Sequence, residues 1–564
     1  MSLENLLPQF LPAAKKNSKL SCACFLGLFY FDLSLAQPIA SEGYIVDTLV
    51  AGSEFCGVHG LGVDSEDKLY AGSVVGQRLY SVDLSSGKAS VFTGPPKGMA
   101  DDMEFLPDGT VVWTSISQNA VRAKSPNGEV RDLATNLASV NSIAFREADE
   151  KLFVAQVFGG DGLWEIDTKG EKPPRNILKD MGGLNGFDIG PDGMIYGPLW
   201  FKKQIVKINP DDGELTVIAD GFHTPAAANF DSKWNLYVLD TATGEIFLVD
   251  YKTGEKSVFV QLKTSLDNLA IDSKDRLYVS NMADNSIHVI DTKTKKTDLV
   301  VKGGLSCPNM ISVVGNFGQS KQSSDSIFVA DIFALRKIDS DTGVITDISR
   351  AHDKDATSAY TSVVAAGENY FYTLSNGAIQ TLDRNTNKVV NTWRGIRGIQ
   401  NLLELANGDL LILHSRGSKL TRLNKNNFDE QTEIQHSINN IAGIAVSEKD
   451  VVYITRSDDN KIYQLNLRNG GIEVFADNLD KPHSIALTSD GELAVLENGN
   501  QALRLINLSD TKDSKIIVTN IPLGRFGNSS SSVSLGLAAG NNGNLYVLSD
   551  KENSIYRIKK AVNI

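Results

Sequence analysis

Acidic and amide side chains recur at a regular spacing in the first half of the chain, each at the start of a short apolar run. Asp101, Asn141, Asn185 and Asp267 all occupy this position. Their carboxylate and amide oxygens are the ligands that a hard cation such as Ca²⁺ prefers. A cation held in this way polarises a carbonyl group and stabilises the oxyanion formed when that carbonyl is attacked. The four residues are therefore candidate metal ligands, provided that the fold brings them together.

These positions belong to a repeat that occurs twelve times along the chain. Each copy has four short stretches rich in Val, Ile, Leu and Tyr, separated by turns, as in GLGVDSEDKLYAGSVVGQRLYSVDLSSGKASVFTG from residue 60. This pattern is typical of β-strands joined by tight turns. The residues that open the first strands are, in order, His59, Asp101, Asn141, Asn185, Ala226, Asp267, Asn309, Thr361, Asn401, Ala442, His483 and Ser534.

Four strands in about 40 residues is the size of one propeller blade. Twelve blades exceed the roughly four to eight that form one ring. The repeat therefore predicts an all-β fold of two tandem six-bladed β-propellers, which we assign to residues 43–304 and 305–564. Helices are expected only in the N-terminal leader and in short turns.

The two ends of the chain predict how the rings close. Residues 44–50, YIVDTLV, resemble a fourth strand that lacks its first three, and the last copy stops after its third strand. An unpaired strand edge exposes backbone donors and acceptors, so a ring closes best when distant strands share a blade. We predict that residues 44–50 complete the sixth blade and release residues 296–302 to complete the twelfth. In the alternative, the sixth blade keeps its own fourth strand and the twelfth has only three.

The strand-opening residues are expected to surround the mouth of each central channel. The first mouth would contain two aspartates, whereas the second would contain no acidic residue. This contrast predicts that function resides in the first propeller. The alternative is that each Asp or Asn only bonds the local backbone of its turn. Asp102 and Asn268 compete with their neighbours for the channel-facing position, and Asn268 could add a second amide.

Two of these strand entrances carry a resemblance to a known family. GLNGFDIGPDGMIYG, around Asn185, is similar to the Asn-Gly entrance and Pro-Asp-Gly turn of the senescence-marker-protein/gluconolactonase family. LDNLAIDSKDRLYV, from residue 266, is similar to the Asp-Asn entrance of paraoxonases, which belong to the wider set of six-bladed calcium propellers. Residues 44–304 as a whole resemble these proteins, and the repeat also resembles NHL and lyase-type propellers. The resemblance implies that Asn185 and Asp267 bind one Ca²⁺ that polarises a lactone or ester carbonyl, with Asn141 and Asp101 as further ligands.

The first blade departs from this family. Its entrance reads HGLGV and places His59 where the gluconolactonase group has Glu, and an acid appears one blade later at Asp101. Imidazole is not a preferred calcium ligand. The departure keeps Zn²⁺ or another divalent cation open as an alternative, because Zn²⁺ accepts His together with carboxylates.

Candidate catalytic and substrate-binding residues lie in the loops around the first mouth. His59 and His223 are candidate general bases, because an unperturbed imidazole titrates near neutral pH. Simple strand capping at His59 and a surface position at His223 are the alternatives. The loops between second and third strands should open on the same face, where aromatic groups could clamp an apolar or ring-shaped ligand. The candidate substrate-binding residues are Phe158, Trp200, Phe201, Asp240, Asn268 and Asn281.

Charge and the N-terminus limit the partners and the location. The net charge is −13, and no Lys/Arg run occurs within the repeats, which argues against nucleic acid or an anionic membrane surface as the main partner. Residues 1–36 combine lysines, the apolar run LSCACFLGLFYF and small residues before a cleavage site near Ala36. This is typical of a signal peptide and predicts a secreted or periplasmic protein without stable membrane insertion, an uncleaved anchor being the alternative.

Two cysteines, Cys56 and Cys307, remain after the leader. Both precede the first strand of a repeat, and exported proteins tolerate disulfides. Two cysteines have no signature spacing, so we favour two buried free thiols over a bridge.

The sequence predicts an exported hydrolase of lactones or related esters that uses Ca²⁺ at the mouth of the first propeller. The alternative is a non-catalytic propeller pair that binds a ligand or, at the second propeller, a protein partner. A quinone-dependent dehydrogenase is a third candidate, for which the chain has no specific motif.

Overall fold

The computed structural model describes residues 37–314, 325–367, 369–396, 398–414, 419–524 and 536–561. Within these ranges the alternating apolar residues form twelve antiparallel sheets, eleven with four strands and one with five. The helical segments described are two 3₁₀ turns, Ile116–Gln118 and Glu147–Asp149. The prediction of two six-bladed propellers is confirmed. None of the described helical segments is long and apolar enough to cross a membrane.

The first ring follows two N-terminal strands, β1 Ile39–Ala40 and β2 Tyr44–Val50, and has six blades of four strands each. Blades 1 to 3 contain β3 Leu61–Val63, β4 Leu69–Ser73, β5 Arg78–Val82, β6 Ala89–Thr93, β7 Met103–Phe105, β8 Val111–Ser115, β9 Ala120–Lys124, β10 Val130–Ala134, β11 Val140–Arg146, β12 Lys151–Gln156, β13 Gly162–Ile166 and β14 Arg175–Lys179. Blades 4 to 6 contain β15 Asp188–Ile189, β16 Ile195–Leu199, β17 Gln204–Ile208, β18 Leu215–Ala219, β19 Pro225–Phe230, β20 Leu236–Asp240, β21 Glu245–Val249, β22 Lys256–Gln261, β23 Leu266–Ile271, β24 Arg276–Asn281, β25 Ser286–Asp291 and β26 Thr297–Val301.

The second ring repeats this arrangement with the remaining strands. Blades 7 to 9 contain β27 Pro308–Val314, β28 Ser326–Asp331, β29 Ala334–Asp339, β30 Ile345–Arg350, β31 Val363–Ala366, β32 Tyr370–Ser375, β33 Ala378–Asp383, β34 Val389–Arg394, β35 Ile399–Glu404, β36 Leu410–His414, β37 Leu420–Asn424 and β38 Asn427–Ile434. Blades 10 to 12 contain β39 Gly443–Val446, β40 Val451–Arg456, β41 Lys461–Asn466, β42 Ile472–Ala476, β43 Pro482–Leu487, β44 Glu492–Glu497, β45 Ala502–Asn507, β46 Ser514–Thr519, β47 Leu537–Ala539, β48 Leu545–Ser549 and β49 Ser554–Lys560.

The first strand of each blade lines the channel, and both rings close through these strands. β23 lies beside β3 in the first ring, and β47 lies beside β27 in the second. At the first closure, Leu69 and Tyr80 of blade 1 share one buried cluster with Tyr278 and Ile287 of blade 6. Burial of apolar surface between neighbouring blades is therefore what holds each ring together.

The predicted closure of the sixth blade is wrong. β2 pairs with β49, with Tyr44 opposite Lys560 and Val46 opposite Ile558, so it completes the twelfth blade. The sixth blade keeps its own fourth strand, β26. β1 adds a fifth strand to blade 11 by pairing with β46. The second propeller is thus built from both ends of the chain, and the first is inserted between β2 and β27.

A disulfide joins the points where the chain enters and leaves the first propeller. Cys56 and Cys307 are bonded, with their Cα atoms 4.7 Å apart. This separation lies within the range that a disulfide spans. The preference for free thiols was therefore wrong, because the insertion brings together two residues 251 positions apart.

Two features named from the sequence lie outside the described residues. These are the predicted signal peptide in residues 1–36 and the strand-opening Ser534.

Candidate active site

Asn141 of blade 3 and Asp267 of blade 6 stand where β-bulges interrupt the inner strands. The pairing of β11 with β12 shifts between Val140 and Ser142, and that of β23 with β24 shifts between Leu266 and Leu269. A bulge adds one unpaired residue and redirects its side chain. The first bulge skips Asn141, and the second skips both Asp267 and Asn268. The sequence places polar residues where the fold turns them out of the strand pairing.

One serine links the two candidate amide ligands. The Ser142 hydroxyl lies 2.8 Å from Oδ1 of Asn141 and 3.1 Å from Oδ1 of Asn185. The Gly186 amide also donates to Oδ1 of Asn185 at 3.0 Å. Both asparagines are buried, at 5% and 8% exposure. The fold therefore brings the amides of blades 3 and 4 together, with their oxygens already accepting hydrogen bonds.

The two aspartates of the mouth lie within electrostatic range of each other. Burial raises the pKa of Asp101 well above its usual value, and the negative charges of Asp267 and then Asp102 add to the effect. Burial also raises the pKa of Asp267, and the charge of His59 opposes that shift. Like charges in a partly desolvated site disfavour ionisation of both groups. The mouth is consequently a place where two carboxylates are costly to ionise together.

His59 completes this group from blade 1. Its Nδ1 lies 3.0 Å from the carbonyl oxygen of Gly57. A carbonyl can only accept, so Nδ1 carries the hydrogen and Nε2 is the basic nitrogen of the neutral ring. The Ser280 hydroxyl donates to the backbone oxygen of His59 at 2.6 Å and fixes the entrance of this blade against blade 6.

The competing residues Asp102 and Asn268 line the channel below the mouth. The Asn268 amide donates to Asp102 Oδ1 at 3.1 Å, and both side chains border a cavity of about 140 Å³. Burial raises the pKa of Asp102 to about 7 and that of Glu104 to about 8. Burial likewise raises the pKa of Asp188 to about 6. Sequence reasoning missed Glu104 and Asp188, although acids at alternating positions of one strand, 102 and 104, were a visible signal.

The predicted aromatic group is assembled at the edge of the first propeller. The ring of Phe158 meets those of Trp200 and Phe201 edge-on, with centroids 5.5 and 6.0 Å apart. Phe158 and Phe201 are 54% and 58% exposed. Large exposed aromatic surface is uncommon away from binding sites, and its role in binding substrate stays a prediction.

Asp240 and Asn281 end the second strands of their blades and brace the preceding connection. Asp240 accepts hydrogen bonds from the backbone amides of His223 at 2.6 Å and Thr224 at 3.0 Å. Asn281 donates to the carbonyl oxygen of Thr264 at 3.0 Å. The predicted substrate-binding role of both residues stays untested, but their polar atoms are engaged with the backbone.

His223 is exposed, and its Nδ1 lies 3.3 Å from the hydroxyl of Thr224. Among the described contacts none joins its ring to the aspartates of the mouth. Its catalytic role stays a prediction that the geometry favours less than that of His59.

Residues of the second propeller also reach the first mouth, and no sequence pattern indicates them. We call Phe333, His352 and Tyr360 the roof. Phe333 lies 5.2 Å from the ring of His59, centroid to centroid, and 5.9 Å from that of Tyr360. Burial, and then the negative charges of Asp267 and Asp101, raise the pKa of Tyr360. The first mouth is therefore bordered by both propellers.

Metal binding at this mouth would depend on amide oxygens. In the described part of the chain no three His, Cys, Asp or Glu side chains are grouped so as to hold a metal ion. The group at the mouth has two carboxylates, one imidazole and two amides. This donor set is poor for a closed zinc site and suits a hard cation better.

Three solved structures are similar to this chain at low sequence identity. No curated protein matches the chain. Among solved structures, virginiamycin B lyase from Staphylococcus aureus has 14% identity and a TM-score of 0.37, with 51% of this chain and 96% of that chain covered. The extracellular domain of a putative one-component system from B. thetaiotaomicron has 14% identity and a TM-score of 0.34, covering 92% and 79%. A chain of a nidogen/laminin complex has 17% identity and a TM-score of 0.37, covering 46% and 96%.

The family comparison matches one continuous segment that includes Asp267, Asn268 and Asn281 but not His59 or Asp101. The segment extends from blade 4 through blades 5 and 6 to the start of the second propeller. Residues 201–317 match the model of the SMP-30/Gluconolactonase/LRE-like region, the family that the strand entrances resemble.

Proposed function

We propose that this protein is a hydrolase of lactones or related esters that acts at the mouth of the first propeller with a divalent cation. One observation carries the proposal: Asp101 and Asp267 are brought together beside His59 at one channel mouth, where burial and then the charge of Asp267 raise the pKa of Asp101. A bound cation would offset the electrostatic repulsion between two carboxylates in such a position. The gluconolactonase-like segment containing Asp267 supports the same function.

Ca²⁺ is the cation that the donor set favours. Asp101 and Asp267 would supply carboxylate oxygens, and Asn141 and Asn185 would supply amide oxygens, each of which retains acceptor capacity beside its existing hydrogen bonds. When bound, the cation would polarise the substrate carbonyl and stabilise the developing oxyanion. Zn²⁺ is the weaker alternative, because His59 would be its single imidazole ligand.

His59 is the residue that we assign as general base. Its Nδ1 hydrogen bond to Gly57 holds the ring and leaves Nε2 to accept a proton from the attacking water. The charge of His59 opposes the rise that burial causes in the pKa of Asp267, so an ionised Asp267 would stabilise the imidazolium after proton transfer. In the second half of the reaction the proton returns to the alkoxide that leaves as the lactone ring opens.

The substrate class follows from the surroundings of the mouth. Phe158 and Phe201 are exposed on the same propeller, and the ring of Phe158 also packs edge-on against the partly buried Trp200. Such surfaces bind apolar or ring-shaped small molecules. We propose that the acyl or alkyl part of the substrate lies against them.

A non-catalytic binding protein is the second candidate. A groove of about 1100 Å³ on the second propeller is lined by Tyr370, Tyr372 and Phe428 among others. An exposed groove with aromatic residues suits a protein partner. In this case the first mouth would bind ligand without turnover.

We also propose that the protein is exported. The disulfide between Cys56 and Cys307 supports this location, because disulfides persist in oxidising compartments.

The test combines metal binding with turnover. Ca²⁺ binding is measured by titration calorimetry, and lactone hydrolysis by proton release, for the wild type and Asp267→Asn. Asn401→Ala at the second mouth is the control. We expect Asp267→Asn to lose Ca²⁺ binding and at least about 100-fold in kcat/KM, and Asn401→Ala to retain both.

The proposed Ca²⁺ site would be refuted if the wild-type protein bound no Ca²⁺ at millimolar concentration and melted at the same temperature with and without chelator. Equal rates for the wild type and His59→Ala would remove His59 from the mechanism.

A further inference from the structure

The roof continues a row of aromatic rings that crosses between the propellers twice. From His59 the row passes to Phe333, then to Tyr360 and His352, whose rings lie 5.4 Å apart. His352 meets Trp200 of the first propeller edge-on at 5.3 Å. The row then continues through Phe158 to Phe201. The predicted aromatic group and the candidate base are thus joined by side chains of the second propeller.

The segment that carries His352 and Tyr360 is anchored on the first propeller. The hydroxyl of Ser265 donates to the carbonyl oxygen of Ala351 at 2.6 Å, and that of Thr264 donates to Asp353 at 3.0 Å. The guanidinium of Arg350, at the start of the segment, bonds Asp284 at 2.7 Å.

Phe333 is fixed from two sides. Its carbonyl oxygen accepts the Ala351 amide at 2.7 Å, so the two roof segments support each other. Its ring also fills the space beside Gly57, where a Cβ would lie 2.5 Å from Cε2 of Phe333, and Gly57 has φ of +72°. The roof is held against the mouth by specific contacts on both propellers.

We propose that the ligand site of the first mouth is built from both propellers, with Phe333, His352 and Tyr360 as its roof, and that it selects an uncharged ligand bearing a flat apolar ring. The inference rests on the proposed function for the reaction, but it concerns binding and can be tested without turnover.

The chemistry of the roof supports an uncharged ring. The hydroxyl of Tyr360 and Nε2 of His352 form a hydrogen bond. Burial, with a smaller effect of His59, lowers the pKa of His352 to about 4. Burial also raises the pKa of Tyr360, so both side chains are neutral near pH 7. A neutral phenol, a neutral imidazole and the ring edges attract apolar and aromatic groups more than carboxylates or phosphates.

The ends of the row provide access. Tyr360 and Phe158 are 41% and 54% exposed, whereas Phe333 between Tyr360 and His59 is 2% exposed. A ligand ring that enters beside Tyr360 would approach the aspartates of the mouth from the outside. Tyr360 is therefore the residue whose removal tests the proposal.

The experiment measures binding of a phenyl-substituted δ-lactone and of the unsubstituted δ-lactone by quenching of tryptophan fluorescence, because Trp200 lies in the row. The ring-opened hydroxy acid replaces any lactone that is turned over. Tyr360→Ala should weaken binding of the phenyl compound at least about tenfold and that of the unsubstituted compound much less. Tyr360→Phe, which keeps the ring, should restore most of the affinity.

Tyr370→Ala is the matched control, because Tyr370 has the same 41% exposure and lies on the second propeller away from the mouth. It should leave both affinities unchanged, and Ca²⁺ affinity should be the same in all variants. The proposed role of the roof in ligand binding is refuted if Tyr360→Ala and the wild type bind the phenyl compound equally. It is also refuted if the wild type does not bind the phenyl compound at millimolar concentration. If Tyr360→Ala loses binding but the wild type turns over no lactone, the binding role of the roof is supported and the proposed hydrolase activity is refuted.

Discussion

The mouths of the two propellers are built from the same repeat but differ in the state of their side chains. At the first mouth, burial and neighbouring negative charge raise the pKa of Asp101, and the charge of His59 acts on Asp267. At the second mouth, the Thr361 hydroxyl donates to the carbonyl oxygen of Ala334 at 2.9 Å, and Asn401 accepts the amide of Leu402 at 2.8 Å. At the second mouth these two strand-opening residues bond backbone groups, whereas at the first mouth two carboxylates and an imidazole lie within electrostatic range of one another.

A second difference separates the acids of the mouth from the acids that end second strands. Asp331 is fully buried and accepts from the amide of Cys307 at 2.7 Å and from Arg336 Nε at 2.7 Å. Asp101 and Asp267 lack a basic side chain of this kind among the effects that shift their pKa, apart from His59. Satisfied acids stabilise a fold, whereas crowded acids cost stability and are retained for binding or chemistry.

The largest expected effect concerns ring closure. Deletion of residues 37–49 removes most of the strand that pairs with β49, and it should destabilise the second ring while the first keeps its own four-stranded sixth blade. The deletion leaves the outer edge of β49 unpaired and removes packing from blade 12. Hydrogen exchange followed by mass spectrometry should show lost protection across blades 7 to 12 and retained protection in blades 1 to 6. Equal loss in both rings would contradict the assignment of β2.

The next effect compares a structural acid with a mouth acid. Asp331→Ala leaves Arg336 buried, at 2% exposure, without its main partner and should destabilise the second propeller by about 3–5 kcal/mol. Asp267→Ala removes a crowded carboxylate and should cost little or even stabilise. The measurement is hydrogen-exchange protection of each propeller at neutral pH in chelator. Asp298→Ala, at an exposed ion pair with Lys296, is the control and should change neither. Similar destabilisation by Asp331→Ala and Asp267→Ala would remove the distinction between the two kinds of acid.

The fold was predictable because the information is local. Alternating apolar residues and turn residues recur in every copy, so counting repeats yields the blades and places Asp101 and Asp267 at equivalent positions. Closure was not predictable in the same way. The fourth-strand pattern of residues 44–50 fits any blade with a free edge, and the sequence does not state which edge is free.

The site was predictable only where it is made by the repeat itself. The roof comes from a turn and a connection of the second propeller that dock on the first, and no local pattern around His352 or Tyr360 reveals that contact. For Asp240 and Asn281, in contrast, the residue type alone was a poor guide to the role. Their type suggested ligand binding, but a buried acid or amide at the end of a second strand bonds the backbone of the preceding connection.

The disulfide tests whether the first mouth depends on the second propeller. Cys56→Ser with Cys307→Ser releases the points where the first propeller is joined to the second, and we expect a loss of about 2–4 kcal/mol. The exchange of amides in residues 350–361 should accelerate, because the anchored segment gains freedom, while the inner strands of both rings stay protected. The wild type in reductant should behave like the double variant, and the double variant should not respond to reductant. Unchanged exchange in residues 350–361 would show that the hydrogen bonds of Ser265 and Thr264 suffice to hold the roof.

The smallest expected effect lies in the channel of the first propeller and depends on pH. Burial, and then the charges of Asp188 and Asp102, raise the pKa of Glu104 from 4.5 to about 8. Between these values the folded protein holds a proton that the unfolded chain releases, so this group lowers stability as pH rises from about 5 to 8. Glu104→Gln removes its share of that decrease.

We therefore expect the loss of unfolding free energy between pH 5 and pH 8 to be smaller in Glu104→Gln than in the wild type, by roughly 1–2 kcal/mol. The measurement is urea denaturation in chelator, so that cation occupancy does not change with pH. Glu404→Gln provides the control in the second channel, where the Tyr372 hydroxyl donates to the carboxylate at 3.2 Å. An identical pH dependence in Glu104→Gln and the wild type would mean that the buried acids of the first channel ionise without cost. The first propeller would then differ from the second in the identity of its acids but not in their electrostatic strain.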